Sequence, residues 1–278
     1  MSKDYSQVVD TTKNYYDSDD AQNFYYQLWG GEDLHLGIYL NEDESIRRAS
    51  RRTIREMAAL LPKLDKSMKV LDLGGGFSGS ARYLAHNFGC HVTVLNLSER
   101  ENERGRRMNK EQDVDHLIDV VDGNFEDIPF EDATFDVIWS QDAILHSGDR
   151  EKVLREASRV LKSGGHMVFT DPMMTDNCPP DVLQPIFDRI KLESLGSPGF
   201  YREAAGRVGL ENVEYVDLDQ FLPMHYQRVL DETEANQDRI KGQISEAYIE
   251  NMKKGLRHWV EGGRNGYLTW GIFLFRKP

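Results

Sequence analysis

Short apolar runs alternate with longer amphipathic stretches through the middle of the chain. Continuous apolar runs are typical of buried strands, and a period near 3.6 residues is typical of helices. The predicted strands cover 69–73, 91–97, 117–122, 135–141 and 166–172, and the predicted helices cover 80–88, a stretch from Ser98, and 150–162. Ser98 and Glu101 are expected to form a capping box, and Gly164 and Gly165 are expected to end the third helix. This alternation indicates a parallel, doubly wound α/β sheet.

Segments on either side of this pattern predict a cap. Two further strands are predicted over 211–218 and 267–277, and the second could insert antiparallel because no helix follows it. Residues 1–65 contain an aromatic-rich stretch and a helix predicted over 44–61, and 173–265 contain helical sequence interrupted by Pro and Gly. Both segments are expected to cover the carboxyl edge of the sheet, where ligands of open α/β folds bind. The chain is interpreted as one domain over 1–278, with an N-terminal helical cap (1–65), a cofactor-binding core (66–172), a cap insertion with later core elements (173–265) and a final strand (266–278).

Three consecutive glycines follow the first predicted strand in VLDLGGGFSGSARYL. Gly74 and Gly76 are expected to adopt positive φ and to let a ligand lie against bare backbone, although a tight turn without a ligand would also use glycine. Residues 74–79 satisfy the spacing of a dinucleotide fingerprint. However, Asp72 precedes the glycines, and a carboxylate there suits a cationic amino group better than a pyrophosphate. The turn therefore favours S-adenosylmethionine over NAD.

Composition narrows the range of partners and compartments. The 278 residues include 47 acidic and 34 basic side chains, for a net charge of −13. Such a surface repels nucleic acid and anionic membranes, so neither is an expected partner. Cys90 and Cys178 have no metal-ligand spacing and indicate a reducing compartment. With no apolar run long enough to cross a membrane, the chain is expected to be soluble and cytoplasmic. A monomer or a homodimer is expected.

Several segments resemble one known enzyme family. LDLGGGFSGSARYLA (71–85) resembles motif I of the class I S-adenosylmethionine-dependent methyltransferases, and 122–173 resembles their small-molecule branch. Segments 24–39, 188–202 and 258–277 resemble the sarcosine/dimethylglycine N-methyltransferases, which make glycine betaine. The resemblance implies a Rossmann-like, seven-stranded, doubly wound sheet with a helical cap. It also implies S-adenosylmethionine as cofactor and a small amine with a carboxylate as substrate. No metal is expected, because no His, Cys and carboxylate cluster in the sequence has metal-ligand spacing.

By this resemblance, the cofactor lies along the carboxyl ends of the first four strands. Asn96 stands where the family usually has Asp or Glu on the ribose hydroxyls; its amide oxygen could accept one hydrogen bond and its NH2 could donate another. Ser78 stands where a third motif glycine is usual, and Gly79 could replace it. Taken singly, Asn96 could instead cap a helix and Phe125 could belong to the core. The implied cofactor residues are Asp72, Gly74 and Gly76 (methionine part), Asn96 and Leu97 (ribose), Asn124 and Phe125 (adenine), and Ser140 and Gln141 (main chain beside the methionine part).

Methyl transfer to an amine is an in-line displacement that needs alignment rather than a nucleophilic side chain. His146 and Tyr26 are the predicted catalytic residues. His146, in QDAILHSGD one turn beyond the fourth strand, could accept the proton of an ammonium substrate because its pKa is expected near the operating range. A purely structural hydrogen bond at the end of a helix is the alternative. Asp142 could orient a water molecule or the amino group of the cofactor.

Aromatic and arginine side chains are predicted to hold the substrate. Aromatic faces stabilise a quaternary ammonium product, and NYYDSDDAQNFYYQLWGG contains Tyr15, Tyr16, Phe24, Tyr25, Tyr26 and Trp29. Tyr26 and Trp29 are predicted at the site, whereas most of the others are expected to pack the cap. A bidentate arginine suits the carboxylate. Arg189, among apolar residues in IFDRIKL, is predicted for this role with Tyr201 and Arg202. The arginines at 47, 48, 51, 52 and 55 are expected to form a solvated helix face.

Two other functions stay open at this stage. The same reaction could act on phosphoethanolamine or on a phenolic or alkene acceptor, although the acidic net charge disfavours a phosphorylated substrate. A protein that binds S-adenosylmethionine without transferring methyl is the second alternative. Ser78 and Asn96 are the departures from the family pattern that support it.

Overall fold

The computed structural model describes Lys13 and residues 17–41, 43–190 and 192–278. These residues form one sheet of seven strands. The strands are β1 Lys69–Leu73, β2 His91–Asn96, β3 Ile118–Asp122, β4 Phe135–Gln141, β5 Leu161–Met174, β6 Glu211–Asp217 and β7 Leu268–Arg276. Their order is β3-β2-β1-β4-β5-β7-β6; the first five pair in parallel, and β7 is antiparallel to both β5 and β6. The predicted doubly wound sheet with an antiparallel last strand is confirmed.

Helices cover both faces of this sheet. They are α1 Asp19–Phe24, α2 Ile46–Leu60, α3 Gly79–Phe88, α4 Glu99–Glu111, α5 Arg150–Val160, α6 Gln184–Ile190, α7 Pro198–Arg207, α8 Phe221–Ala235, α9 Gln237–Ile240 and α10 Glu246–Arg264. A π-helical turn, Tyr25–Trp29, continues α1, and a 3₁₀ turn, Ile144–His146, follows β4. No helix in the described part of the chain is long and apolar enough to cross a membrane.

Alternation along the strands divides the apolar residues between two cores. Val70 of β1 belongs to an apolar cluster that also contains residues of α2, α3, α8, α10 and the π-helical turn, whereas Leu71 belongs to a second cluster that contains residues of α5 and α7. This follows from the period of two residues in a strand, which sends successive side chains to opposite faces. The order of the strands in the sheet reverses between β1 and β4, so the crevice at the carboxyl ends of these two parallel strands is the expected ligand position.

The end of α5 differs from the sequence prediction. The helix stops at Val160 because Leu161 already has extended backbone angles and pairs with Phe135 as the first residue of β5. Gly164 and Gly165 therefore lie inside β5, and the prediction that they end the helix is wrong. A Cβ on Gly165 would lie 2.9 Å from the carbonyl oxygen of Asp136, so this glycine permits close approach of two backbones.

The predicted capping box is only half formed. Ser98 Oγ accepts a hydrogen bond from the backbone N–H of Glu101 at 3.2 Å and caps α4. The carboxylate of Glu101 does not return to Ser98 but accepts a hydrogen bond from Asn96 at the end of β2. The first turn of α4 is thereby folded back onto the end of β2.

Candidate active site

One cavity lies at the carboxyl ends of the parallel strands, beneath the residues that follow the π-helical turn. Its empty volume is about 980 Å³, a figure that includes space open to solvent. All the predicted cofactor residues except Ser140 line it, and so does His146. Further lining residues come from the N-terminal cap and from α4, and they include Tyr25, Glu32, Asp33, His35 and Glu101.

The three glycines have separate roles in the wall of this cavity. Gly74 and Gly76 have φ of 73° and 48°, as predicted, and these values favour glycine. A Cβ on Gly74 would lie 2.4 Å from Cβ of Ala143, and one on Gly75 would lie 2.6 Å from Asp72 Oδ2. Gly75 therefore leaves room for the Asp72 carboxylate, while the outer glycines set the turn.

Asp72 is the strongest ligand signal in the cavity. Its side chain is buried, and Oδ2 has no hydrogen-bond partner among the described residues. Burial raises the pKa of Asp72 to about 7. A buried, unpaired carboxylate oxygen is costly unless a ligand supplies N–H donors or positive charge. The site therefore fits the amino end of a cationic ligand.

Ser140 does not border the cavity through its side chain. Its buried hydroxyl donates to the carbonyl oxygen of Leu73 at 2.8 Å and so joins β4 to β1. The next residue, Gln141, points the other way and lines the cavity, with Oε1 accepting from Ser80 Oγ at 2.5 Å. The prediction for Gln141 stays open, whereas the structure gives Ser140 an internal role.

Asn96 is coupled to a carboxylate that the sequence analysis used only as part of a helix cap. Its Nδ2 donates to Glu101 Oε2 at 3.0 Å and to Asn102 Oδ1 at 3.1 Å. The amide NH2 is therefore occupied, and the expectation that it donates to a ribose oxygen is wrong. Glu101 lines the cavity, and burial raises its pKa to about 7. The missed signal is its position in the first turn of the helix that follows β2.

Of the aromatic residues in the π-helical turn, Tyr25 lines the cavity, and the predicted Tyr26 and Trp29 do not. Tyr25 is buried and lines the cavity. Tyr26 is 45% exposed; it packs against Phe77 outside the cavity, with the Arg104 guanidinium 4.7 Å from its ring centre. Trp29 is buried behind Tyr25, with ring centres 5.1 Å apart, and does not line the cavity. Residues in a π-helical turn do not follow the α-helical period, so the inward-facing tyrosine could not be chosen from spacing. Tyr15 and Tyr16 lie outside the described residues.

His146 lines the cavity from the 3₁₀ turn after β4. Burial, together with the positive charges of Arg150 and Arg189, lowers its pKa to about 4. The expectation that this pKa lies near the operating range is therefore wrong, and the imidazole is neutral at neutral pH. The preceding residue is held firmly, because Leu145 N–H donates to Asp171 Oδ1 at 3.0 Å.

Tyr201 and Arg202 do not reach the cavity. Tyr201 is fully buried, and its hydroxyl donates to Asp171 Oδ2 at 2.5 Å, so it supports the carboxylate that holds Leu145. Arg202 is exposed and lies 4.8 Å over the ring of Tyr215. The predicted substrate contacts are wrong because α7 packs beneath the sheet rather than over its carboxyl edge.

Arg189 lies close to the site without lining the cavity. Its Nη2 donates to Met252 Sδ at 2.7 Å, and a Cβ on Gly255 would lie 2.1 Å from its Nε. The guanidinium therefore fits between α6 and α10. Its charge reaches the imidazole of His146, whose pKa it helps to lower.

Asp142 ties the cap to the sheet. Its φ is 51°, and its Oδ2 accepts from the backbone N–H of Leu36 at 2.7 Å. Its Oδ1 accepts from Trp270 Nε1 at 2.8 Å. Both oxygens are used within the protein, so the structure favours a role in orienting the cap over one in orienting water.

A buried ion network joins the cap to the core beside the cavity. Arg82 is 1% exposed, and its Nε donates to Glu32 Oε2 at 2.8 Å. Its Nη1 donates to the carbonyl oxygen of Phe77 and to Asn109 Oδ1. Arg51 contacts both Glu32, at 3.1 Å, and Asp33, at 2.8 Å. In the described part of the chain, no group of His, Cys, Asp and Glu side chains is arranged to hold a metal ion.

Comparison with known proteins identifies the family. The family described as "Methyltransferase domain" matches residues 71–169. A sarcosine/dimethylglycine N-methyltransferase of Halorhodospira halochloris is 57% identical over 271 residues, which are 98% of this chain and 97% of that protein. The chain belongs to the sarcosine/dimethylglycine N-methyltransferase family. A dimethylglycine N-methyltransferase of Parasynechococcus marenigrum is 46% identical, over 95% of this chain and 94% of its own length.

A solved structure supports the same assignment. The crystal structure of a proposed sarcosine dimethylglycine methyltransferase from Galdieria sulphuraria superposes with a TM-score of 0.90 at 44% identity. The match covers 95% of this chain and 98% of that chain. The predicted fold and the predicted class, an S-adenosylmethionine-dependent N-methyltransferase, are confirmed.

Proposed function

We propose that this N-methyltransferase methylates sarcosine, dimethylglycine or both, with glycine betaine as the end product. The observation that carries the proposal is the assembly, in one cavity, of Asp72, the glycine turn, Tyr25 and His146. The substrate class comes from the names of the relatives that match nearly the whole chain. A cytoplasmic location and a monomeric or homodimeric state are further proposals, based on composition alone.

S-adenosylmethionine supplies a methyl group on a sulfonium, and the amine lone pair forms the new N–C bond as the C–S bond breaks. Asp72 would accept N–H donors from the amino end of the cofactor, and Gly74 and Gly76 would lie against its methionine part. Asn124 and Phe125 would contact the adenine. Together these residues would hold the methyl group at the end of the cavity that contains His146.

For the ribose we propose Glu101 with Asn96 as the two acceptors. Asn96 keeps its Oδ1 for the cofactor, because Nδ2 already donates to Glu101 and Asn102. Glu101 provides, from the first turn of α4, the carboxylate that the family usually places at the end of β2. The Asn at that strand end is thereby compensated, which disfavours the alternative of a non-catalytic binding protein.

Replacing Glu101 with Gln is expected to raise the Kd for S-adenosylmethionine about tenfold, because one hydrogen bond contributes up to about 1.5 kcal/mol and a tenfold change corresponds to about 1.4 kcal/mol. Isothermal titration calorimetry measures the change. Glu103→Gln is the matched control, since Glu103 is exposed on the same helix and does not line the cavity. Equal Kd values for the Glu101 variant and the wild type would contradict the proposed role.

The reaction requires a neutral amine at the methyl group. His146 is neutral and can accept the ammonium proton, and the positive charges of Arg150 and Arg189 disfavour its retention on the imidazole. The proton therefore passes on to solvent. Tyr25 would offer an aromatic face to the quaternary ammonium product, a role predicted for Tyr26 and Trp29.

Arg189 remains our proposed partner for the substrate carboxylate. It lies near enough to His146 to influence its pKa, and its guanidinium contacts Met252 at the α10 side. Because Arg189 does not line the cavity, its guanidinium would have to move toward the cavity on substrate binding to reach the carboxylate. Neither Tyr201 nor Arg202 has access to that position.

The test is a methyl-transfer assay with S-adenosylmethionine and, separately, glycine, sarcosine, dimethylglycine and phosphoethanolamine. We expect turnover of sarcosine or dimethylglycine, with betaine identified by mass spectrometry. Turnover of phosphoethanolamine alone would replace the proposed substrate. Cofactor binding without turnover of any of the four amines would favour the non-catalytic alternative.

A further inference from the structure

We propose that a groove between α2 and α3 binds a phosphate-type oxyanion, a ligand that methyl transfer does not use. The groove lies beside the cofactor cavity, and Glu32 lines both. Its cationic lining residues are Arg47, Arg48, Arg51, Arg52, Arg55 and Arg82.

The groove has an excess of positive charge in a protein of net charge −13. Among its described lining residues Glu32 is the one carboxylate, and it is shared by Arg47 at 3.4 Å, Arg51 at 3.1 Å and Arg82 at 2.7 Å. Arg52 is neutralised separately by Glu44 at 2.6 Å. The carboxylates in reach are thus fewer than the guanidinium groups.

Arg48 and Arg55 carry the unbalanced charge. Both are exposed, and neither forms an ion pair within the part of the chain that the structure describes. They are seven residues apart, or about two helical turns, so they lie on one face of α2 roughly 10 Å apart. Their like charges repel each other weakly at this separation, and an anion between them would be attracted by both.

The chemistry of the lining selects an oxyanion. A guanidinium group presents N–H donors in a planar fork that matches phosphate oxygens, and several such groups can share one dianion. Arg82 forms a fixed part of the groove wall, because Glu32, Phe77 and Asn109 hold its guanidinium. The exposed arginines at the rim have the freedom to turn toward a ligand.

Binding in the groove should strengthen binding in the cofactor cavity, which takes a cationic ligand. Arg51 is reachable from the groove and also neutralises Asp33, a buried residue of the cavity wall. An oxyanion that attracts Arg51 competes with Asp33 for that charge and leaves the cavity wall more negative beside a cationic ligand. By reciprocity, S-adenosylmethionine should lower the Kd for phosphate by the factor with which phosphate lowers the Kd for S-adenosylmethionine, about fivefold.

The experiment is calorimetric titration of the full chain with inorganic phosphate, and separately with ADP, at constant ionic strength set with sodium chloride. We expect saturable binding at one site in the wild type. Arg48→Gln with Arg55→Gln should raise the Kd at least tenfold. Binding of ADP that is tighter than that of phosphate and is weakened in this groove variant would identify a nucleotide as the source of the oxyanion. Tighter binding of phosphate would identify free phosphate, and ADP binding unchanged in the groove variant would assign ADP to the cofactor cavity.

Arg107→Gln with Arg155→Gln is the matched control, because it removes the same charge from exposed helix positions outside the groove. Unchanged phosphate binding in this control supports the proposal. An equal rise of the phosphate Kd in both double variants would show that only net charge matters and would overturn the proposal. An unchanged phosphate Kd in the groove variant would overturn it as well. An equal phosphate Kd with and without S-adenosylmethionine would overturn the coupling.

Discussion

Replacing His146 with Gln is expected to lower kcat for dimethylglycine about 10²-fold, because positioned proton acceptors contribute about 10²–10⁴-fold to such reactions. We expect the lower end of this range because burial and the charges of Arg150 and Arg189 lower the pKa of His146 to about 4, which makes the imidazole a weak base. The Kd for S-adenosylmethionine should stay within about twofold of the wild type. Steady-state kinetics and calorimetry measure the two quantities.

The pH dependence of this variant adds a second readout. With a pKa lowered to about 4, His146 stays neutral from pH 8 down to about pH 5. The ratio of wild-type to variant kcat should therefore be constant over that range. A ratio that falls as the pH decreases through 6.5 would show an ordinary imidazole pKa and contradict the structure. His116→Gln, at an exposed position outside the cavity, is the control.

Replacing Arg82 with Met is expected to lower the free energy of unfolding by about 3–5 kcal/mol, the usual result of removing one partner from a buried ion pair. Arg82 is 1% exposed and holds Glu32, Phe77 and Asn109. Methionine has a similar length but leaves those acceptors without the guanidinium donors. Urea unfolding followed by circular dichroism measures the difference.

The pH dependence of that loss follows from Glu32. Burial opposes its ionisation, but the charges of Arg82 and Arg51 outweigh burial and lower the pKa below its usual value. The stabilisation is therefore present above pH 4.5 and lost as the pH falls below it. Arg107→Met, which breaks an exposed pair, should cost less than about 1 kcal/mol. Equal losses for both variants at pH 7 would contradict the importance of the buried network.

Residues at the strand ends were predictable because local sequence controls them. Asp72, Gly74 and Gly76 follow directly on an apolar run, and any doubly wound sheet brings such strand ends to one edge. The same logic placed Asn124 and Phe125 in the cavity. The side chain of Ser140 faces the neighbouring strand, where its hydroxyl donates to Leu73, so only its main chain is left for the predicted contact with the cofactor.

The substrate side was predicted poorly because its residues come from segments distant in sequence. Tyr25 rather than Tyr26 faces the cavity, owing to a π-helical turn that no spacing rule indicated. Tyr201 looked polar and available, but α7 packs under the sheet and turns its hydroxyl onto Asp171. A residue type with suitable chemistry is therefore insufficient without the orientation of its helix.

The sequence by itself determined the order of strands and helices, the glycine turn and the family, because periodicity and short motifs act through neighbouring residues. Only the tertiary structure brought Glu101 onto Asn96, which lies at the end of another element. It alone decided that His146 is neutral, since burial lowers the pKa of the imidazole and Arg150 and Arg189, from different elements, lower it further. The pKa and accessibility of a side chain depend on burial and on charges nearby in space, and the order of residues does not record that environment.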